Sequence, residues 1–163
     1  MGFTTRVKSE ASEKKPFNFA LFWDKYGTFF ILAIIVAIFG SLSSEYFLTT
    51  NNITQIFVQS SMTVLIGMGE FFAILVAGID LSVGAILALS GMGFETYAIA
   101  SAIIGGTSFF GGKGRIFSVV IGGLIIGTIN NGLNILQVQT YYQLVVMGGL
   151  IIAAVALDRL ISK

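Results

Sequence analysis

The stretch "GGTSFFGGKGR", residues 105–115, gathers five glycines, a threonine, a serine, a lysine and an arginine. Backbone amides left open by glycine, together with hydroxyls and cations, are the parts of a phosphate-binding loop. The spacing argues against one. A loop of the G-x-x-x-x-G-K-[ST] type, aligned on Gly112 and Lys113, puts Thr107 where its first glycine belongs and Gly114 where the magnesium-binding hydroxyl belongs. Such a loop also follows a soluble strand, whereas both flanks here are apolar runs suited to a membrane. The stretch is expected instead to be a tight cytoplasmic turn. Gly111, Gly112 and Gly114 would permit a short reversal, and Lys113 and Arg115 would snorkel to lipid phosphates.

Asp80, in "VAGIDLSVGA", is the sharpest remaining group. A carboxylate at the centre of a membrane helix costs roughly 2.5 to 3.5 kcal/mol on insertion scales, so it must face protein, water or a helix terminus. With Gly78 and Gly84 loosening the backbone, Asp80 is placed to cap a helix restarting at Leu81, as in the discontinuous helices of solute pathways. Glu70 lies ten residues away, about 15 Å along a helix, so the two do not form a catalytic carboxylate pair. Amides supply the rest of the polar inventory. Gln55 and Gln59 share a helix face, Asn130, Asn131 and Asn134 cluster, and Gln137, Gln139 and Gln143 follow. Amides donate and accept, which suits an uncharged polyhydroxylated solute, and they equally hold helices together. Both readings stand at this stage.

What is missing narrows the chemistry. With no histidine and no cysteine, zinc sites, disulfides and a serine–histidine triad lose their parts. No pair of titratable groups converges at catalytic spacing, so neither an enzyme nor a cofactor or metal site is expected, and nothing points to nucleic acid.

The elements that position these groups are membrane helices. Of 163 residues, 55% are hydrophobic and 10% charged, with a mean hydropathy of +0.91, too little charge to cover a soluble surface. No lysine or arginine lies between Tyr26 and Gly112. The basic residues fall in three clusters: Arg6 to Lys25, Lys113 with Arg115, and Arg159 with Lys163. The positive-inside rule puts all three clusters, and both termini, in the cytoplasm. An all-α, polytopic protein with about six hydrophobic segments satisfies this. Residues 1–25 form a cytoplasmic segment. A first membrane block, 26–92, holds spans at 26–42, 53–69 and 71–90, with Glu70 at the turn between the second and third. A second block, 93–163, holds spans at 116–132 and 141–157 and a short run, 97–110, that either crosses or re-enters. Gly84 with Ala88 and Gly123 with Gly127 place small residues on one helical face, where backbones can approach.

The segments "VAGIDLSVGAILALSGM", "AIIGGTSFFGGKGRIFSVVIGGLIIGTINNGLNIL" and "YYQLVVMGGLIIAAVALD" resemble the permease subunits of bacterial ribose-type ABC sugar importers. The resemblance covers nearly every residue, and its GIDLSVG and GGTS-x-x-GGKG motifs are specific. It implies a multi-pass inner-membrane subunit for a monosaccharide of the ribose or allose type. Its implied partners are a second permease copy (a homodimer), a cytoplasmic ATP-binding subunit, a periplasmic sugar-binding protein and the lipid bilayer itself. Asp80, Gln59, Asn130, Asn131 and Asn134 would then line the solute path. Family members are about twice this length. Residues up to Met92 match their N-terminal part and residues from Gly93 match their C-terminal end. The stretch between, with the loop that engages the ATPase, has no counterpart, and an internally deleted, non-transporting assembly element is the alternative reading.

Overall fold

A computed structural model describes residues 19–76, 94–108 and 111–161. Helices dominate the described residues, and no strand occurs among them. Helix α1 spans Phe19–Leu42, α2 Ser44–Phe47, α3 Thr50–Leu75, α4 Phe94–Ile104, α5 Ile116–Ile135 and α6 Thr140–Ile161. By length and composition Thr50–Leu75, Ile116–Ile135 and Thr140–Arg159 are each sufficient to cross a membrane, and Tyr26–Leu42 is a shorter apolar stretch. Helix α4, at 11 residues, is about 16 Å long, roughly half a hydrocarbon core.

The expected turn at Glu70 does not exist. Helix α3 runs through Glu70 to Leu75 without interruption, so the second and third segments do not divide there. The reason is packing: Gly67 and Gly69 weaken the helix locally, but Glu70 lies on the buried face of α3, which carries it through. The start of α3 is marked clearly, since Thr49 Oγ1 accepts from Asn52 N at 3.3 Å as an N-cap. The Asn52 side chain also donates to Phe47 O at 2.8 Å, fastening α2 to α3.

The buried residues of α3 are Ile56, Ser60, Thr63, Gly67, Glu70, Phe71 and Ile74, one stripe at helical spacing. The stripe meets α5 and α4. A Cβ on Gly123 would strike Val64 Cγ2, and one on Gly127 would strike Ser60 Oγ. Four residues forward on α5 therefore match four residues back on α3, so the two helices are antiparallel. A Cβ on Gly67 would strike Ser101 of α4, and one on Gly122 of α5 would strike the Ser101 carbonyl. Three backbones thus converge where side chains are smallest, the arrangement that packing in lipid rewards. Helix α5 is the centre: 61% of its span is buried, against 33% for α3 and 11% for α6. Ile121, Ile125, Ile126 and Ile129 of α5 join Ala100 and Met147 in one apolar cluster, to which α1 adds Leu32, Ile35 and Phe39.

Candidate functional site

The described residues of the loop after α4 make a set of specific hydrogen bonds. Gly106 has φ +90° and stands just past the helix, where Thr107 N donates to Ala102 O at 3.0 Å and closes the last turn. Gly111 and Gly112 also take positive φ, +84° and +77°. The amide of Gly112 donates to Leu75 O at 3.0 Å, satisfying a carbonyl left over at the end of α3. Gly105 N donates to Ser101 O, Gly106 N to Ile103 O, Ser108 N to Lys113 O and Gly111 N to Ser108 O, each at 2.9 or 3.0 Å. Among the described residues, the amides of Gly105, Gly106, Thr107, Ser108, Gly111 and Gly112 are committed to carbonyls. Gly114 is held for a different reason, because a Cβ there would meet Phe71 at 2.7 Å and Thr107 at 3.0 Å.

This loop ties three helices together at one end. Besides the bond to α3, Ser108 Oγ donates to Asp158 Oδ2 of α6 at 2.9 Å. Exposed Lys113, Arg115 and Arg159 lie at this same end. Helix α1 meets α5 near the C-terminal ends of both, where a Cβ on Gly132 would strike Phe39.

At the opposite end α5 stops in a helix cap closed by a bond from Val138 N to Leu133 O at 2.9 Å, with Gln137 at φ +56°. Gln143 of α6, buried, donates from Nε2 to Asn134 Oδ1 and to Val138 O, both at 2.8 Å. For Asn134 and Gln143, then, the amides hold a helical hairpin together.

The structure separates the other amides. Gln59 and Gln55 are exposed on α3, away from its buried stripe. Asn131 is 5% exposed and continues the row of Gly123 and Gly127 by one turn toward α3. Asn130 is half-buried. The buried oxygens Asn131 Oδ1 and Asn130 Oδ1 have no hydrogen-bond partner, and neither does Ser60 Oγ, on a residue 1% exposed against Gly127. Asp80, Gly84 and Ala88 lie outside the described residues.

Two groups escaped the sequence reading. Ser60 sits beside Gln59, which drew attention as the larger amide, yet Ser60 falls on the 56-60-63-67 stripe and Gln59 does not. Glu70 was expected as an ordinary polar end at the cytoplasmic boundary. It is 1% exposed, inside α3 and on its packed face. The signal available was its position three residues after Gly67, on the face of small residues.

Comparison with known proteins agrees with a membrane transport assignment. The family described as "Branched-chain amino acid transport system / permease component" matches residues 89–155. The D-allose transport system permease protein of Escherichia coli K12 is 49% identical over 326 positions that take in all of both chains. Because this chain has 163 residues, at least half of those positions face none of them. An identity of 49% therefore means that nearly every residue present is matched by an identical one. The ribose import permease of Bacillus subtilis 168 is 57% identical over 70 residues, 43% of this chain and 22% of the relative. The xylose transport system permease of Haemophilus influenzae is 45% identical over 85 residues, 51% of this chain and 23% of the relative. No solved structure matches.

Proposed function

Because the chain belongs to the family of permease subunits of sugar ABC importers, we propose that it is a multi-pass subunit of the bacterial inner membrane that forms part of a monosaccharide path of the D-allose or ribose type. The observation that carries this is the correspondence with the D-allose permease along its whole length, with almost every residue matched. Transport in this reading involves no covalent chemistry. The chain supplies the path, a separate cytoplasmic ATP-binding subunit supplies the energy, a periplasmic sugar-binding protein supplies the solute, and a second permease copy completes the pore. Support for a separate energy source comes from the spacing of the 105–115 stretch, which departs from a phosphate-binding loop at Thr107 and Gly114. Asp80 and the Asn130–Asn131 pair are the groups assigned to the path, and the basic end, with Lys113, Arg115 and Arg159, is assigned to the cytoplasm.

A second reading is favoured by a specific observation, the 326 positions against 163 residues. It takes the chain as a permease with an internal deletion, joined near Met92 and Gly93, that inserts and packs but does not transport. Co-expression with the ATP-binding subunit that serves the D-allose relative separates the two. A transporting subunit co-purifies with it and restores sugar uptake, and Asp80→Ala in the full-length relative abolishes that uptake. A chain that inserts yet retains no ATP-binding subunit leaves the second reading standing, and wild-type uptake by Asp80→Ala removes Asp80 from the path.

A further inference from the structure

The α3–α5 contact combines two properties that rarely coincide. Its backbones approach as closely as glycine allows, at Gly123 on Val64 and at Gly127 on Ser60, yet it buries polar atoms with nothing to bond. Ser60 Oγ and Asn131 Oδ1 belong to residues 1% and 5% exposed, and they lie one helical turn apart along the same antiparallel seam. Asn130 Oδ1 is a third such atom on the neighbouring face of α5. The buried hydroxyl of Ser101 on α4 behaves differently, since Ser101 Oγ donates to Ala98 O at 2.7 Å. A membrane-buried acceptor with no donor is costly, because no bulk water reaches it. Serine and asparagine at such a seam ordinarily hydrogen-bond across it, and these oxygens have no partner.

We infer that Ser60 and Asn131, with Asn130 beside them, form a hydroxyl-binding step of the path that is exposed when α3 and α5 part at the Gly127 contact. The inference rests on the monosaccharide reading and deepens it. The chemistry required is a compound carrying several O–H donors: two amide oxygens accept, and the Ser60 hydroxyl can both donate and accept. With the seam shut, Ser60 lies directly on Gly127 and the groups are idle, so closing costs hydrogen bonds and opening recovers them. Glycine at 123 and 127 lets the surfaces separate without extracting an interlocked side chain. Water and sugar hydroxyls offer the same donors, and only the sugar makes binding saturable and selective.

The test uses the full chain in lipid nanodiscs with radiolabelled D-allose and D-ribose as probes, comparing wild type with Ser60→Ala and Asn131→Leu and measuring thermal stability without sugar. Wild type is expected to bind one of the sugars saturably. Each substitution is expected to weaken that binding roughly 10-fold, because a sugar hydroxyl loses its partner, while the melting temperature stays level or rises. Undiminished binding in both variants overturns the site and leaves the sugar reading in place. Binding that falls only in step with lost stability overturns it as well, in favour of a packing role or a bridging water. No saturable binding by wild type refutes a sugar site in this chain, while co-purification with the ATP-binding subunit independently decides whether it belongs to an importer.

Discussion

The hydroxyl of Ser60 occupies the space where a side chain on Gly127 would begin. Together with Val64 on Gly123, that atom sets how closely α3 and α5 approach. Gly127→Leu is expected to drive the helices apart and lower stability by roughly 1–3 kcal/mol, the usual cost of overpacking, read from unfolding in a denaturing-detergent titration. Gly149→Ala, where an added Cβ meets nothing within 4 Å, is the neutral control. Equal stability for the two variants would show that the seam is not a tight contact.

The cap at Gly106 depends on a left-handed backbone, φ +90°, with open space around it. An added Cβ there meets nothing within 4 Å, so the penalty at that atom comes from the torsion. Gly106→Val is predicted to lose about 1–2 kcal/mol, again in a detergent titration. A variant as stable as wild type would mean that the loop has another conformation within easy reach.

Ser108 and Asp158 are fifty residues apart in sequence and joined by a 2.9 Å hydrogen bond. A double-mutant cycle with Ser108→Ala and Asp158→Asn should return a coupling of about 0.5–1.5 kcal/mol, since the hydroxyl loses a charged acceptor in one case and the acceptor loses its donor in the other. Strict additivity would dissolve the link between the loop and the last helix.

Topology follows from which end holds the cations. The chain has no cysteine, so single cysteines at Ser44 and at Lys113 can be labelled cleanly in intact cells. An impermeant maleimide should reach position 44 from outside and fail to reach position 113 until the membrane is opened. External labelling at 113 would reverse the orientation and send the ATP-binding partner to the wrong side.

Several elements could be read from residue order because local rules govern them. The runs 26–42, 116–132 and 141–157 appear as the bodies of α1, α5 and α6, with ends extended by up to seven residues. The departure of residues 105–115 from the phosphate-loop spacing was also legible, since a motif is a matter of spacing. Glu70 was not. Hydropathy marks a carboxylate as a break, but α3 continues because the glutamate is carried on a packed face, and only the positions of α4 and α5 create that face. The amides divide in the same way. Gln59, Asn131 and Asn134 look alike along the chain, yet one is exposed, one is buried without a partner for its oxygen and one is bonded to Gln143.

By itself, then, the sequence determined that this is an apolar, all-helical membrane protein with its cations in three clusters, because transfer into lipid and the placement of charge depend on composition along a single strand of chain. The tertiary structure decided which small residues meet, which turn binds which helix end, and which polar atoms are stranded in the seam. Those depend on register between helices, and register is set by how close two backbones can come at Gly123 and Gly127.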